Sequence, residues 1–221
     1  MTVNVQLLPG GVPMPNGLPK RYSAKEDKNV HKFVEQELRK VWLQPGEKLL
    51  FGQVPTLGFL GARIGQERHV PYRPTRPVPE LTLKPVRLRQ PTEFVFRDTD
   101  WTDEPVLSYW AHAEHPDQIA VRLADHLSDG SGAGRLVWTD RRLAVTVFSK
   151  WLVEQPDKKA LITTVCDLGP GLVTAISMPF TGMSFPAVRV VRLDFADRST
   201  LLIRDDHAKH KVEMAWQRLG H

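Results

Sequence analysis

Arg141 and Arg142 stand side by side in GRLVWTDRRLAVTVFSK (134–150), and Lys150, Lys158 and Lys159 follow. A guanidinium group is a planar fork of donors that matches a phosphate or a carboxylate. The five residues therefore read as a basic rim for an anionic lipid headgroup, a phosphate ligand or an acidic protein. They have a plainer reading too. Thr139-Asp140 can bend the chain through side-chain hydrogen bonds to backbone, leaving the arginines to solvent or to nearby carboxylates. A second concentration of positive charge lies at 63–97, which holds eight Lys or Arg against three Glu. There Arg73, Arg76, Arg87 and Arg89 are spaced among prolines, a composition that suits an extended arm docking on a partner protein or packing on its own domain. Nucleic acid is a poorer fit, because only Tyr72, Phe94 and Phe96 interleave with the basic side chains.

Other reactive side chains offer less. His112 and His115 in HAEH, and His207 and His210 in DDHAKH, have spacings seen in metal sites. On a strand, however, His112 and Glu114 share a face that His115 turns away from, so surface histidines are the better account and no metal is expected. Cys166 lies in the apolar run LITTVC and reads as a small core residue rather than a nucleophile. No G-x-S-x-G elbow, Walker loop, dinucleotide fingerprint or H-E-x-x-H helix occurs, and DLGPGL (167–172) reads as a hairpin turn. The expectation is a non-enzymatic protein without a cofactor.

The whole chain has 221 residues, 41% of them hydrophobic and 25% charged, with a formal charge of +5. That suits a soluble globular protein with a mild preference for acidic partners or surfaces. One cysteine excludes an intrachain disulfide and suggests a reducing compartment. MTVNVQLLPGG carries no secretory pattern, and no run is long and apolar enough to cross a membrane. A cytoplasmic protein, peripheral to a membrane at most, is expected.

Several elements must position these residues. Thirteen of the 18 prolines precede residue 107, so the front half cannot be one uninterrupted sheet. Residues 1–22 read as an extended arm. Ser23 and Glu26 make a capping box for an amphipathic helix over 23–43, with Val30, Phe33, Val34, Leu38 and Val41 on one stripe. KLLFGQ (48–53) reads as a strand, and LTLKPVRLR as an edge strand broken by its proline. From residue 106 onward, strands are expected at 106–113, 119–124, 135–139, 143–148, 161–166, 172–177, 189–195 and 200–203. Ala196–Ser199 should turn. A last helix, begun by Asp205 or Asp206, places Ala208, Val212, Ala215, Trp216 and Leu219 on one face.

GRLVWTDRRLAV resembles the strand–turn–strand signature G-x-L-x-x-T-x-x-R-L of bacterial pleckstrin-homology-like and GRAM-like domains. LQPGEKLLF is similar to their L-x-x-G-E-x-x-L opening, and VRLDFADRSTLLIRDDHAKHKVEMAW to their last hairpin and closing helix. The resemblance covers roughly 43–53 and 106–219. It implies a mainly β fold: a small antiparallel barrel or sandwich closed by a C-terminal helix. The β domain would span 44–221, with a proline-rich basic insertion at about 54–103. It implies an interaction module for a protein partner or a second copy of itself. The alternatives are a peripheral binder of anionic lipid or phosphate, and a hydrolase or transferase on another β-fold.

Overall fold

The computed structural model describes residues 24–53, 56–83, 88–92, 97–129, 131–155, 157 and 159–220. The extended arm expected at 1–22, and Ser23 of the expected capping box, lie outside them. Helix α1 (Ala24–Val41) lays Val34 and Leu38 onto a sheet, as the stripe requires. Its last contact differs from expectation. Val41 is exposed, while Trp42, just past the helix, turns in and donates its indole N–H to Thr164.

The sheet beneath α1 contains β1 (Leu49–Gly52), β5 (Arg135–Thr139), β6 (Leu143–Phe148) and β7 (Ile162–Asp167), all antiparallel in the order β1-β5-β6-β7. Period-two alternation decides its faces. Val137 and Ala144 point to α1, whereas Leu136, Trp138, Leu143 and Val145 point into the main core. Gly52 sits under α1 because a Cβ there would lie 2.8 Å from a methyl of Val34.

The second sheet runs β3 (Glu67–His69), β2 (Phe59–Ile64), β4 (Leu107–Ala113), β11 (Thr200–Arg204), β10 (Val188–Phe195), β8 (Val173–Ser177), with β9 (Phe180–Thr181) also on β10. Only the β2–β4 pair is parallel. Tyr109, Ala111, Val191, Leu193, Phe195, Leu201 and Ile203 from this sheet share one core with the inner face of the first. Helix α3 (Ala208–Leu219) reaches β1 of one sheet and β8 and β10 of the other. Ala208, Val212 and Ala215 are buried there. The protein is thus mainly β, with a C-terminal helix over its core.

Three expectations need correction. Residues 119–124 are not a strand: they belong to helix α2 (Ile119–Leu127). Its apolar positions run almost continuously, so periodicity alone could not separate strand from helix. The deciding contacts are distant in sequence. Asp197 Oδ2 accepts from Ile119 N at 2.6 Å and Ser199 Oγ from Ala120 N at 3.0 Å, so the β10–β11 turn satisfies two donors at the start of α2. The sheets also do not close into a barrel; among the described residues they are two separate ladders. Finally, LTLKPVRLR forms no named strand among its described residues. Leu81 makes an isolated bridge with Leu152, and 84–87 lie outside the described residues.

Candidate functional site

The β5–β6 turn holds the first predicted cluster, and its geometry divides the two arginines. Thr139 Oγ1 accepts from the N–H groups of Arg141 and Arg142, which sets the bend. Asp140 Oδ1 accepts from Lys48 N and ties the turn to β1. Arg142 then folds back onto Glu47, donating from Nε to Oε1 and from Nη2 to Oε2, both at 2.9 Å. Its guanidinium stacks 3.8 Å from the Trp42 ring centroid and also reaches the Trp42 carbonyl. The Glu47 side chain has 0% exposure. Burial pushes its carboxyl up, but the hydrogen bonds from Arg142, Gln44 N–H and the Thr139 hydroxyl outweigh that and hold it below the usual range. Nε and Nη2 of Arg142 are therefore committed inside the protein, whereas Arg141 is exposed.

The other members of the expected rim lie elsewhere. Lys150 sits in a 3-10 turn (Ser149–Trp151) just past the far end of β6, whose six residues put roughly 20 Å between it and the arginine turn. It rests near the rings of Phe148 and Trp151. Lys159 is exposed, and Lys158 falls outside the described residues. Among the described residues, the arginine turn and Lys150 thus stand at opposite ends of β6.

The proline-rich segment is stapled to the domain by two buried carboxylates. Asp125 on α2 accepts from Tyr72 OH at 2.6 Å, Thr75 N at 2.8 Å and Arg76 Nη1 at 3.0 Å. Burial first, and then the Asp125 hydrogen bond, push the Tyr72 hydroxyl up to about 12. Arg76 also pairs with Asp117. Glu104 accepts from Arg89 and from the N–H and hydroxyl of Thr92. Burial raises its carboxyl, and those donors bring it below the ordinary range. Arg73 is exposed, and Arg87 lies outside the described residues. Two of the four arginines thus hold the segment in place.

The predicted histidines differ in burial. His112 and His115 are exposed and His207 is buried. Among the described residues no group of three or more His, Cys, Asp or Glu is placed to hold a metal ion. Cys166 packs against the core, and burial raises its thiol.

One uncharged face is not announced by any single reactive residue. Leu168 to Val188 carries no charged residue, in a chain where a quarter are charged. This run contains β8, which ends its sheet. Beside β8 lies a groove of about 460 Å³ lined by Trp138, Val173, Ile176, Trp216 and Leu219, with Thr174 and Ala175 exposed along it. Trp216 and Leu219, expected on one face of α3 with Ala208, Val212 and Ala215, are 36% and 43% exposed at the groove. Trp216 donates its indole N–H to Ile176 O at 3.0 Å, which fixes the helix beside the strand edge. A signal for this face was present in the uncharged run, which reads as turn and strand until the second sheet is seen to end at β8.

The chain matches no protein-family model, no curated protein and no solved structure.

Proposed function

We propose that this protein is a non-catalytic interaction module that binds an extended segment of a partner protein along β8, beside α3. The observation that carries the reading is the groove itself. A strand at the end of a sheet offers unpaired backbone groups on its outer side, and an extended segment can add to it as a further strand. Here Trp138, Trp216 and Leu219 supply apolar sites for alternate side chains of that segment. Charge is absent from the whole of 168–188, so the surface discriminates against charged segments and favours apolar or hydroxylated ones.

A pleckstrin-homology-like or GRAM-like architecture is part of the proposal. Its support is the way the two signature segments meet. The opening G-E supplies Glu47, and the T-x-x-R-L turn supplies Thr139 and Arg142. Thr139 and Arg142 both donate to Glu47, and β1 pairs with β5. The last hairpin and closing helix of the resemblance correspond to β10, β11 and α3. Residues 54–103 then stand as an insertion whose β2 and β3 extend the second sheet.

Selection of peptides from a displayed random library against the full chain tests the reading. Selected peptides should be uncharged at alternate positions, and Leu219→Asp or Thr174→Lys should weaken them by roughly tenfold or more. Failure to select any peptide, or binding indifferent to both substitutions, would exclude the groove.

A further inference from the structure

Just beyond β8 the same uncharged run forms a loop of a different kind. Phe180, Met183 and Phe185 are 61%, 80% and 100% exposed within six residues. Apolar side chains this exposed on one tip mark a contact surface. The loop is nonetheless firmly built. Thr181 pairs with Val188 and Phe180 with Arg189 in the β9–β10 ladder, and Thr181 is hydrogen-bonded to Thr102. Asp103 accepts from Met183 N at 2.7 Å, Ser184 N at 3.0 Å and the Ser184 hydroxyl. Gly182 N donates to Thr99 O at 2.7 Å. Gly182 has φ +83°, and a Cβ there would lie 2.5 Å from Thr102 Oγ1, so only glycine fits under the tip.

Two features say which surface the tip meets. Residues 182, 183 and 184 have their N–H groups satisfied from within the protein, and Pro186 has none to offer. With these N–H groups satisfied internally and the apolar side chains pointing outward, the cost of bringing the tip into a lipid phase is reduced. Recognition by added strands, the mode proposed for β8, finds no free N–H at 182–184 or at Pro186. Charge agrees. Met178–Ala187 contains no ionisable side chain, and the first one after it, Arg189, holds its guanidinium 4.6 Å from the Phe180 ring centroid at the base of the tip. An arginine at that base can meet lipid phosphates while Met183 and Phe185 beyond it enter the acyl boundary; the Asp103 carboxylate behind the tip is taken up by the Met183 and Ser184 donors, and the net charge of +5 favours an anionic surface.

We propose that the 180–186 loop is a membrane-contacting tip, with Met183 and Phe185 inserting into the headgroup–acyl boundary of an anionic lipid surface and Arg189 bound at the phosphates. The site is separate from the expected basic rim of Arg141, Lys150 and Lys159, and it does not depend on the β8 groove.

The test is co-sedimentation of the full chain with vesicles of phosphatidylcholine containing phosphatidylglycerol. The protein should pellet with them. Met183→Ser/Phe185→Ser should lower the apparent vesicle affinity by roughly tenfold or more, with thermal unfolding unchanged because both side chains are exposed. Arg141→Ala/Lys150→Ala should pellet like the parent. The proposal is overturned if the parent stays in the supernatant, or if the serine variant pellets equally. It is also overturned if the Arg141/Lys150 variant, rather than the serine variant, loses binding. Loss of a protein complex in the serine variant, without any lipid binding by the parent, would assign the tip to a protein partner instead and would equally overturn it.

Discussion

Replacing Arg142 and Arg141 by alanine, one at a time, separates a structural arginine from a solvent-facing one. Arg142→Ala leaves the Glu47 carboxylate, with 0% side-chain exposure, without its cation. Removing one partner of a buried pair costs about 3–5 kcal/mol. The lower end applies, because Thr139 and Gln44 N–H still donate to Glu47 and the Arg142 side chain is 18% exposed. Loss of the stacking on Trp42 adds about 0.5–1 kcal/mol. The sum is about 4 kcal/mol, or roughly 8–16 °C in melting temperature for a chain of this size. Arg141→Ala should stay within about 0.5 kcal/mol.

The difference should depend on pH. The Glu47 carboxyl is held below its ordinary value of 4.5 in the folded protein. Its contribution is thus fully present above that value and is lost as pH falls through the lowered folded value. In Arg142→Ala, burial without the cation pushes the carboxyl up, so protonation relieves the penalty. The gap between parent and variant should begin to narrow above pH 4.5, as pH falls through the variant's raised folded value, and go on narrowing down to the parent's lowered one. Urea unfolding at neutral and acidic pH measures it. Equal effects of the two alanines at neutral pH would refute the reasoning.

Two further perturbations follow from buried groups. Lys211 and Asp205 pair at 1% and 6% side-chain exposure, and Asp205 also accepts from His207 N. Lys211→Ala should cost about 3–5 kcal/mol in urea unfolding, and Asp205→Asn/Lys211→Met should recover part of it, because the charge is then removed from both sides. Asp125→Ala removes the acceptor of Tyr72 OH, Thr75 N and Arg76, so hydrogen exchange at Thr75 N should accelerate strongly while protection in β5 and β6 is retained. Unchanged exchange at Thr75 would mean that Asp125 does not hold the proline-rich segment.

The elements whose apolar pattern has a single reading were legible in the sequence. The β5–β6 hairpin, β10, β11 and the C-terminal helix follow from alternation, turn chemistry and a three-to-four spacing. Helix α2 was not, because its N-terminus is satisfied by Asp197 and Ser199 from nearly eighty positions away. The β2–β3 hairpin was hidden in a glycine-rich run, and β2 is held by a parallel pairing with β4 that no local pattern announces. Charged side chains were the least legible. Arg76, Arg89 and Arg142 looked available for ligands, but each finds a buried carboxylate far along the chain: Asp125, Glu104 and Glu47. Trp216 and Leu219 erred in the opposite direction. Their spacing matches the core stripe of α3, yet the helix extends past the sheet edge and leaves them at the groove.

The most direct measurement for the proposed function is a titration of the isotopically labelled full chain with a selected peptide, followed by amide chemical shifts. Binding along β8 predicts that the largest changes fall on Val173–Ser177 and on the last turn of α3 around Trp216 and Leu219, with new protection from exchange at Thr174 or its neighbours. Changes centred on the Arg141–Arg142 turn, or spread over the proline-rich segment while β8 stays still, would contradict it.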